Sequence, residues 1–296
     1  MEDSAVETAM AQRYPWAAQQ PRLLASPWWI GHIPFAFELI GRLRPRVIVE
    51  LGTYSGSSFA AFCQALEAAG IDGRCFGVDL WEGDIHMGHF DDSLYRGIAD
   101  YVAENHPRTG VLVRKEFNAA SADFAEGSID LLHIDGTHTY EAVSNDFHTW
   151  KAKLSNRSVV LFHDVNVTVE NVGEPARKFG VRRFFDEVKS AYPHLEFAHC
   201  YGLGVLVTGP DVPSEVLDLV RSSNDAAFRQ FFETRGEAVS QRFRDLNIEQ
   251  PKHTPYGQAA GESAPPPEPP PPAAPLPLWR RAVRKLHRIS RQWGGA

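Results

Sequence analysis

Cysteine is scarce in this chain of 296 residues: Cys63, Cys75 and Cys200 are all there is. Three widely separated thiols make no disulfide framework and carry no metal-ligand spacing, so a reducing compartment is expected. Long apolar runs are missing too. No stretch reaches the roughly eighteen residues that a membrane span requires, and Met1–Ala9 carries acids instead of the apolar centre of a secretory leader. A cytoplasmic location follows as the expectation. Nor is there a cationic excess: the net charge is −7, and a basic stretch at the C-terminus conceals a still more acidic body. Broad nucleic-acid binding by the body is therefore excluded. The hydrophobic fraction of 43% is that of an ordinary globular protein, which excludes disorder throughout and a fibrous repeat.

Proline marks the clearest boundary. Nine prolines crowd between Ala264 and Pro277, a composition that favours extended polyproline II and reads as a semi-rigid spacer. Five segments follow: an N-terminal helical or lid segment (1–45), an α/β domain (46–210), C-terminal helices (211–247), a disordered Pro-rich linker (248–277) and a basic tail (278–296). The first segment is rich in aromatics, with Tyr14, Trp16, Trp28, Trp29 and Phe35. They could roof an acceptor site or simply pack on the sheet. In the tail, Trp279, Val283, Leu286, Ile289 and Trp293 share one helical face, and six Lys/Arg lie largely off it. That is the pattern of an interfacial helix drawn to anionic lipid, peripheral at the inner membrane face. A partner-binding helix and a solvated tail are the competing readings.

Within 46–210, apolar runs alternate with helical patterns. Strands are expected at Arg46–Glu50, Cys75–Asp79, Val111–Arg114, Ile129–Ile134 and Ser158–Phe162. The runs are continuous, not alternating, as in a parallel sheet covered on both faces. Leu195–His199 and Leu203–Val207 are close enough to pair antiparallel through a Tyr201-Gly202 turn. The fold class is α/β: a doubly wound sheet of seven strands, mostly parallel, ending in an antiparallel hairpin.

Glu50-Leu-Gly-Thr-Tyr-Ser-Gly56 joins the first strand to its helix. Gly52 permits a sharp turn, and Gly56 permits close approach of a ligand or another element. A second glycine at dinucleotide spacing is missing and no lysine follows, which excludes both the dinucleotide fingerprint and the P-loop. Glu50 would repel a pyrophosphate and suit a cationic ligand. Asp79 ends the second strand, where an open α/β sheet offers a carboxylate to a ribose diol. Simple turn chemistry and a strand-end cap are the plain alternatives. The long polar loop that follows, with Asp84, His86 and His89, could cover an acceptor. Asp135 and the pair His163-Asp164 end the fourth and fifth strands. Neighbouring strand ends lie about 5 Å apart, so these side chains converge at one rim, with His138 three residues past Asp135. Asp135 as an Asx cap, and both histidines as structural groups, are the competing readings.

The glycine loop resembles the first motif of class I S-adenosylmethionine-dependent methyltransferases. Leu131-Leu-His-Ile-Asp-Gly-Thr-His-Thr-Tyr-Glu-Ala-Val143, Val160-Leu-Phe-His-Asp-Val-Asn166 and Tyr201-Gly-Leu-Gly-Val-Leu206 are similar to the small-molecule and sugar O-methyltransferases often found beside glycosyltransferases. The resemblance implies a Rossmann-like fold and an S-adenosyl-L-methionine site. Glu50 would lie near the methionine end, and Gly52, Tyr54, Ser55, Gly56 and Ser57 would line the loop. Asp79 would hold the ribose, Trp81 would cover the adenosine, and Asn118 would meet the adenine edge. It further implies His138 as the base, with Asp135 beside it, and Asp135, His163 and Asp164 around Mg2+ or another divalent ion. Related enzymes carry an acid where this chain has His163, which weakens the case for magnesium. The expected activity is methylation of a hydroxyl on a sugar or glycan intermediate, or another small-molecule acceptor. Transfer to nitrogen or to a phenolic or lipid oxygen, and a non-catalytic binding module, are the alternatives. No nucleic-acid partner is expected, and nothing in the sequence marks an oligomer.

Overall fold

The β-branched run Val47-Ile-Val-Glu-Leu51 forms the central strand, β1, and every residue in it is buried. In the computed structural model, which describes residues 2–246, six further strands join it in one sheet. They are β2 (Arg74–Asp79), β5 (Gly110–Arg114), β6 (Ile129–Ile134), β7 (Leu154–His163), β8 (His194–Phe197) and β9 (Leu203–Val207). The spatial order is β5-β2-β1-β6-β7-β9-β8. Contacts from β5 to β7 are parallel; β9 pairs antiparallel with both β7 and β8. The mostly parallel seven-stranded sheet with a terminal antiparallel hairpin is thus what the apolar runs implied. β7 starts four residues ahead of Ser158, because Leu154 pairs with Ile129 across a bulge before the regular register resumes at Leu131.

The sheet is covered on both faces, which explains the continuous apolar strands. On one face Ile48, Leu131, Leu161 and Val205 pack against Phe35, Phe62, Phe228 and Phe232. Those aromatics come from the helices Ile33–Leu43, Ser57–Ala68 and Ala226–Leu246. On the other face Val49, Leu132, Val160 and Phe162 meet Phe147, Trp150, Phe184 and Phe185. Each such fully buried aromatic contributes about 2–3 kcal/mol of transfer free energy. The N-terminal segment is tied down by polar contacts as well. Glu38, buried among apolar groups, accepts from the Trp16 amide (3.0 Å) and pairs with Arg42 (2.6 Å). The C-terminal region makes two helices, Ser214–Ser222 and Ala226–Leu246.

One element was not expected. The polar loop after β2 folds into a small hairpin, β3 (Gly83–Asp84) with β4 (Gly88–His89). The Pro-rich linker (248–277) and the basic tail (278–296) lie outside the described residues. Among the described residues no helix is long and apolar enough to cross a membrane.

Candidate active site

In this strand order the chain leaves β1 toward β2 and later returns to β6 on the other side. The helices that follow β1 and β6 therefore lie on opposite faces of the sheet, and a crevice forms outside these strand ends, the place where open α/β sheets bind ligands. A cavity of about 880 Å³ opens there. Gly52 shapes its floor. Its φ is +89°, and a Cβ at this position would sit 1.9 Å from the Asp135 carbonyl oxygen. The loops after β1 and β6 are laced together at the same point, the Asp135 amide donating to the Leu51 carbonyl (2.8 Å).

Asp79 organises one half of the cavity. Its Oδ2 accepts from the amides of Thr53 (3.0 Å) and Tyr54 (2.9 Å), and its Oδ1 from the Trp81 amide (2.7 Å). Burial pushes its pKa above the ordinary carboxylate range, against the pull of these amides. The Leu80 amide also faces this carboxylate. Tyr54 and Trp81 both adopt left-handed backbone (φ +48° and +56°), a strained geometry for bulky residues that concentrates at functional sites. The hydroxyls of Thr53 and Ser55 are buried without hydrogen-bond partners, and Thr53 Oγ1 lies against Gly77 of β2.

The expected loop residues separate on inspection. Gly52, Tyr54, Ser55, Ser57, Asp79, Trp81 and Asn118 line the cavity. Ser57 also anchors the N-terminal segment, accepting from the Ala25 and Ser26 amides (3.0 and 3.1 Å). Trp81 presents little of its face: it is 1% exposed, packs on Tyr95, and donates its indole N–H to the Tyr54 carbonyl (2.8 Å). Two residues fall outside the wall. Gly56 serves as the left-handed cap of the following helix, against Ile98. Glu50 is sealed beneath the floor, where His133 Nδ1 lies 3.0 Å from its Oε1, and burial raises its pKa. Glu50 thus lies behind the wall and not in it, with its Oε2 buried and without a partner. Its side chain points into the sheet layer and not into the crevice.

Asp135, His138, His163 and Asp164 converge on the opposite wall. His138 Nδ1 lies 3.1 Å from Asp164 Oδ2, and the His138 ring stacks on Phe179 at 4.8 Å and 6°. Asp164 holds a left-handed conformation, φ +61°. His163 is buried, with Nδ1 at 3.2 Å from Asp135 Oδ1 and 3.5 Å from Asp164 Oδ2. Its Nε2 lies 3.0 Å from the Cys200 carbonyl, which can only accept, so Nε2 carries a proton. Burial opposes a charge on this ring, but the two carboxylates prevail and hold its pKa well above the histidine range. Burial likewise opposes the charge on Asp135, yet His163 beside it keeps that carboxyl low.

These contacts test a metal. Asp135, His138 and Asp164 each bring one donor atom within 4.8 Å of the others. His163, expected as a ligand, has both nitrogens engaged, and that role is corrected. Asp135 Oδ1 and Asp164 Oδ2 each face an imidazole nitrogen, and one of the three donors is itself a nitrogen. Magnesium takes oxygen donors in near-octahedral geometry, so these residues do not fit it. Asn166 donates from its Nδ2 to the Ala198 carbonyl (2.8 Å) and does not line the cavity.

The polar loop expected to cover an acceptor does reach the wall, and other wall residues were not expected from the sequence. His86, on the β3–β4 hairpin, lies 5.4 Å from the His138 ring with its Nε2 buried and unpartnered; burial lowers its pKa. Asn145 and Asp146, on the helix Tyr140–Lys151, and Phe179 also line the cavity. No motif announces them, because helical residues and a folded-back loop reach the crevice only through tertiary structure. Trp28, named in the aromatic segment, does line the mouth, 5.8 Å from Tyr201.

Residues 49–165 match the family model described as a methyltransferase domain. Over 197 residues the chain is 40% identical to the uncharacterized protein y4gI of Sinorhizobium fredii, covering 67% of this chain. The chain spans about a fifth of that relative's length (21%). Among solved structures it is similar to the O-methyltransferase TomG from Streptomyces achromogenes in complex with SAM, with 19% identity and a TM-score of 0.45 over 69% of this chain and 90% of that one. A Bacillus cereus O-methyltransferase in complex with SAH gives 16% identity and a TM-score of 0.44 over 69% and 91%. The fold rests on the strand order itself, not on these two distant likenesses.

Proposed function

We propose that this chain, which carries a class I methyltransferase domain, transfers the methyl group of S-adenosylmethionine to a hydroxyl oxygen, and that the acceptor is a sugar or glycan intermediate. The observation that carries the transfer chemistry is the His138–Asp164 pair on the cavity wall.

The cofactor half of the cavity supports the reading through its chemistry. Asp79 lines the crevice at the end of β2, where an open α/β sheet offers a carboxylate to a ribose, with Tyr54 and Ser55 of the β1 loop beside it. Bound there, S-adenosylmethionine supplies a methyl group on a sulfonium, already electrophilic. The protein's task is then to hold an acceptor oxygen in line and remove its proton.

His138 is placed for that task. With its Nδ1–H donating to Asp164, its Nε2 is the nitrogen left for the acceptor hydroxyl. Phe179 fixes the plane of the ring. As the oxygen is methylated its proton passes to Nε2, and Asp164 steadies the imidazolium that forms. Asp135 and His163 pair with each other beside this dyad and keep the wall ordered. No divalent ion enters these steps.

The sugar acceptor rests on two supports. One is the likeness of the motifs around Asp135 and Asp164 to sugar O-methyltransferases. The other is the mouth, where the 42%-exposed Trp28 and Tyr201 offer aromatic faces of the kind that stack on sugar rings. The test is a mass-spectrometric transfer assay with a panel of sugars, nucleotide sugars, phenols and amines. A product with one methyl on a sugar oxygen is expected. Methylation confined to phenols or amines would contradict the acceptor class.

A further inference from the structure

Beside the His138–Asp164 pair the cavity has two kinds of wall. One is polar: His86 stands there with its Nε2 buried and without a partner. The other is aliphatic and runs out to the rim. Ile85 and Met87 enter it from the turn of the β3–β4 hairpin, and Val167, Val172 and Pro175 from the segment after β7. Ile85 and Met87 flank His86 in sequence, and the His86 ring is 5.4 Å from that of His138, so the strip adjoins the base. Ile85 is 44% exposed. Its turn is firmly built, with Asp84 Oδ1 accepting from the His86 and Met87 amides, both at 2.8 Å. Such an Asx turn holds Ile85 at the rim. A lone exposed apolar side chain is ordinary, but one continuous with an apolar cavity wall marks a ligand groove. Glu174, paired with Arg177, and Lys178 border the strip; both are exposed, so their charges stay in water.

We infer that the acceptor is amphiphilic: a sugar head brings its hydroxyl to His138, and an aliphatic chain joined to that head lies along Ile85, Met87, Val167 and Val172. This rests on the reading of the cavity as the site of methyl transfer to a sugar. The occupant follows from position. Whatever covers the strip begins beside His138, so it belongs to the molecule whose hydroxyl reaches that residue. Its chemistry follows from the side chains. Aliphatic groups of mixed shape suit a flexible chain. A flat aromatic substituent would need ring faces, and Phe179 has few to give, because His138 stacks on it and His86 packs against it at 4.7 Å. An apolar wall of this kind supplies affinity, and the few polar groups beside it set the orientation of the head.

The test is calorimetric. The full chain, saturated with S-adenosylhomocysteine, is titrated with methyl, butyl, hexyl and octyl β-D-glucopyranoside, each below its micelle concentration. Every methylene that enters the strip should tighten binding about threefold, so the octyl glycoside should bind at least about thirtyfold tighter than the methyl one. Ile85→Ser and Val172→Ser should each remove at least about threefold of that gain. Their S-adenosylhomocysteine affinity should stay within about twofold of wild type, which shows that they fold. An octyl glycoside that binds no tighter than the methyl one, or a gain that both variants retain, overturns the proposal. So does a protein that sediments with phosphatidylcholine vesicles through Ile85 yet binds no octyl glycoside, since the strip would then be a bilayer contact. Octanol bound as tightly as octyl glucoside overturns the sugar head and supports the chain subsite. Failure to bind S-adenosylhomocysteine refutes methyl transfer, and the glycoside series run without it still decides the strip.

Discussion

The Cβ that Gly52 lacks would lie 1.9 Å from the carbonyl oxygen of Asp135. The glycine after the first strand is thus required twice, by its own positive φ and by the loop of the catalytic wall pressed against it. The cofactor loop and the acid-histidine loop are one packed unit. Substituting Gly52→Ala should cost about 2–4 kcal/mol, more than a glycine in an open turn, because φ strain and a backbone clash add. Chemical denaturation measures this. A loss below about 1 kcal/mol would mean the two loops move apart freely.

His138→Ala should reduce transfer about 100-fold or more while leaving S-adenosylhomocysteine affinity within about twofold, since a general base contributes mostly to the chemical step. Asp164→Asn should also reduce turnover, because the amide no longer stabilises a protonated ring. Comparison of kcat with ligand affinity separates the steps. Full turnover in His138→Ala at neutral pH would remove the dyad from the mechanism.

Stability should depend on pH through Asp146. Its folded pKa is about 7, against about 4 for an unfolded aspartate. Between those values the folded chain holds a proton that the unfolded chain releases, so stability falls as pH rises through the window. The cost is absent below about pH 4, complete above about pH 7, and at most about 4 kcal/mol. Asp146→Asn should remove the slope and be relatively more stable at pH 8 than at pH 4. Parallel melting curves for the two proteins across that range would contradict the assignment.

Magnesium should bind weakly, no tighter than about millimolar, because one of the three clustered donors is an imidazole and both carboxylates are engaged by histidines. Calorimetric titration of Mg2+ checks this. Micromolar binding that disappears in Asp135→Asn would show that the imidazoles give way to an ion.

Much of the sheet was legible because a strand buried on both faces leaves an uninterrupted apolar run, as in Val47–Leu51 and Ile129–Ile134. The positions of Asp79, Asp135, His138 and Asp164 were legible for a related reason, since strand ends in a parallel sheet all open on one edge. Side-chain direction was not legible. Glu50 and His133 occupy paired register positions in β1 and β6 and turn into the layer, and nothing in their spelling separates them from groups that face the crevice. His163 looked like a ligand until the turn at Cys200, with Cys200 and Tyr201 both left-handed, brought a carbonyl to its Nε2. Asp146 and His86 reach the cavity from a helix and a hairpin, and their place depends on packing between elements distant in sequence.

The central claim is that the crevice binds the methyl donor, and calorimetry with S-adenosylhomocysteine on the intact protein addresses it most directly, with Asp79→Ala as its partner. One-to-one micromolar binding is expected, weakened at least about tenfold in the variant, which loses both a ribose acceptor and the clasp on Thr53 and Tyr54. A folded wild-type protein that gives no heat with the ligand, or binds it equally well without Asp79, would contradict the account.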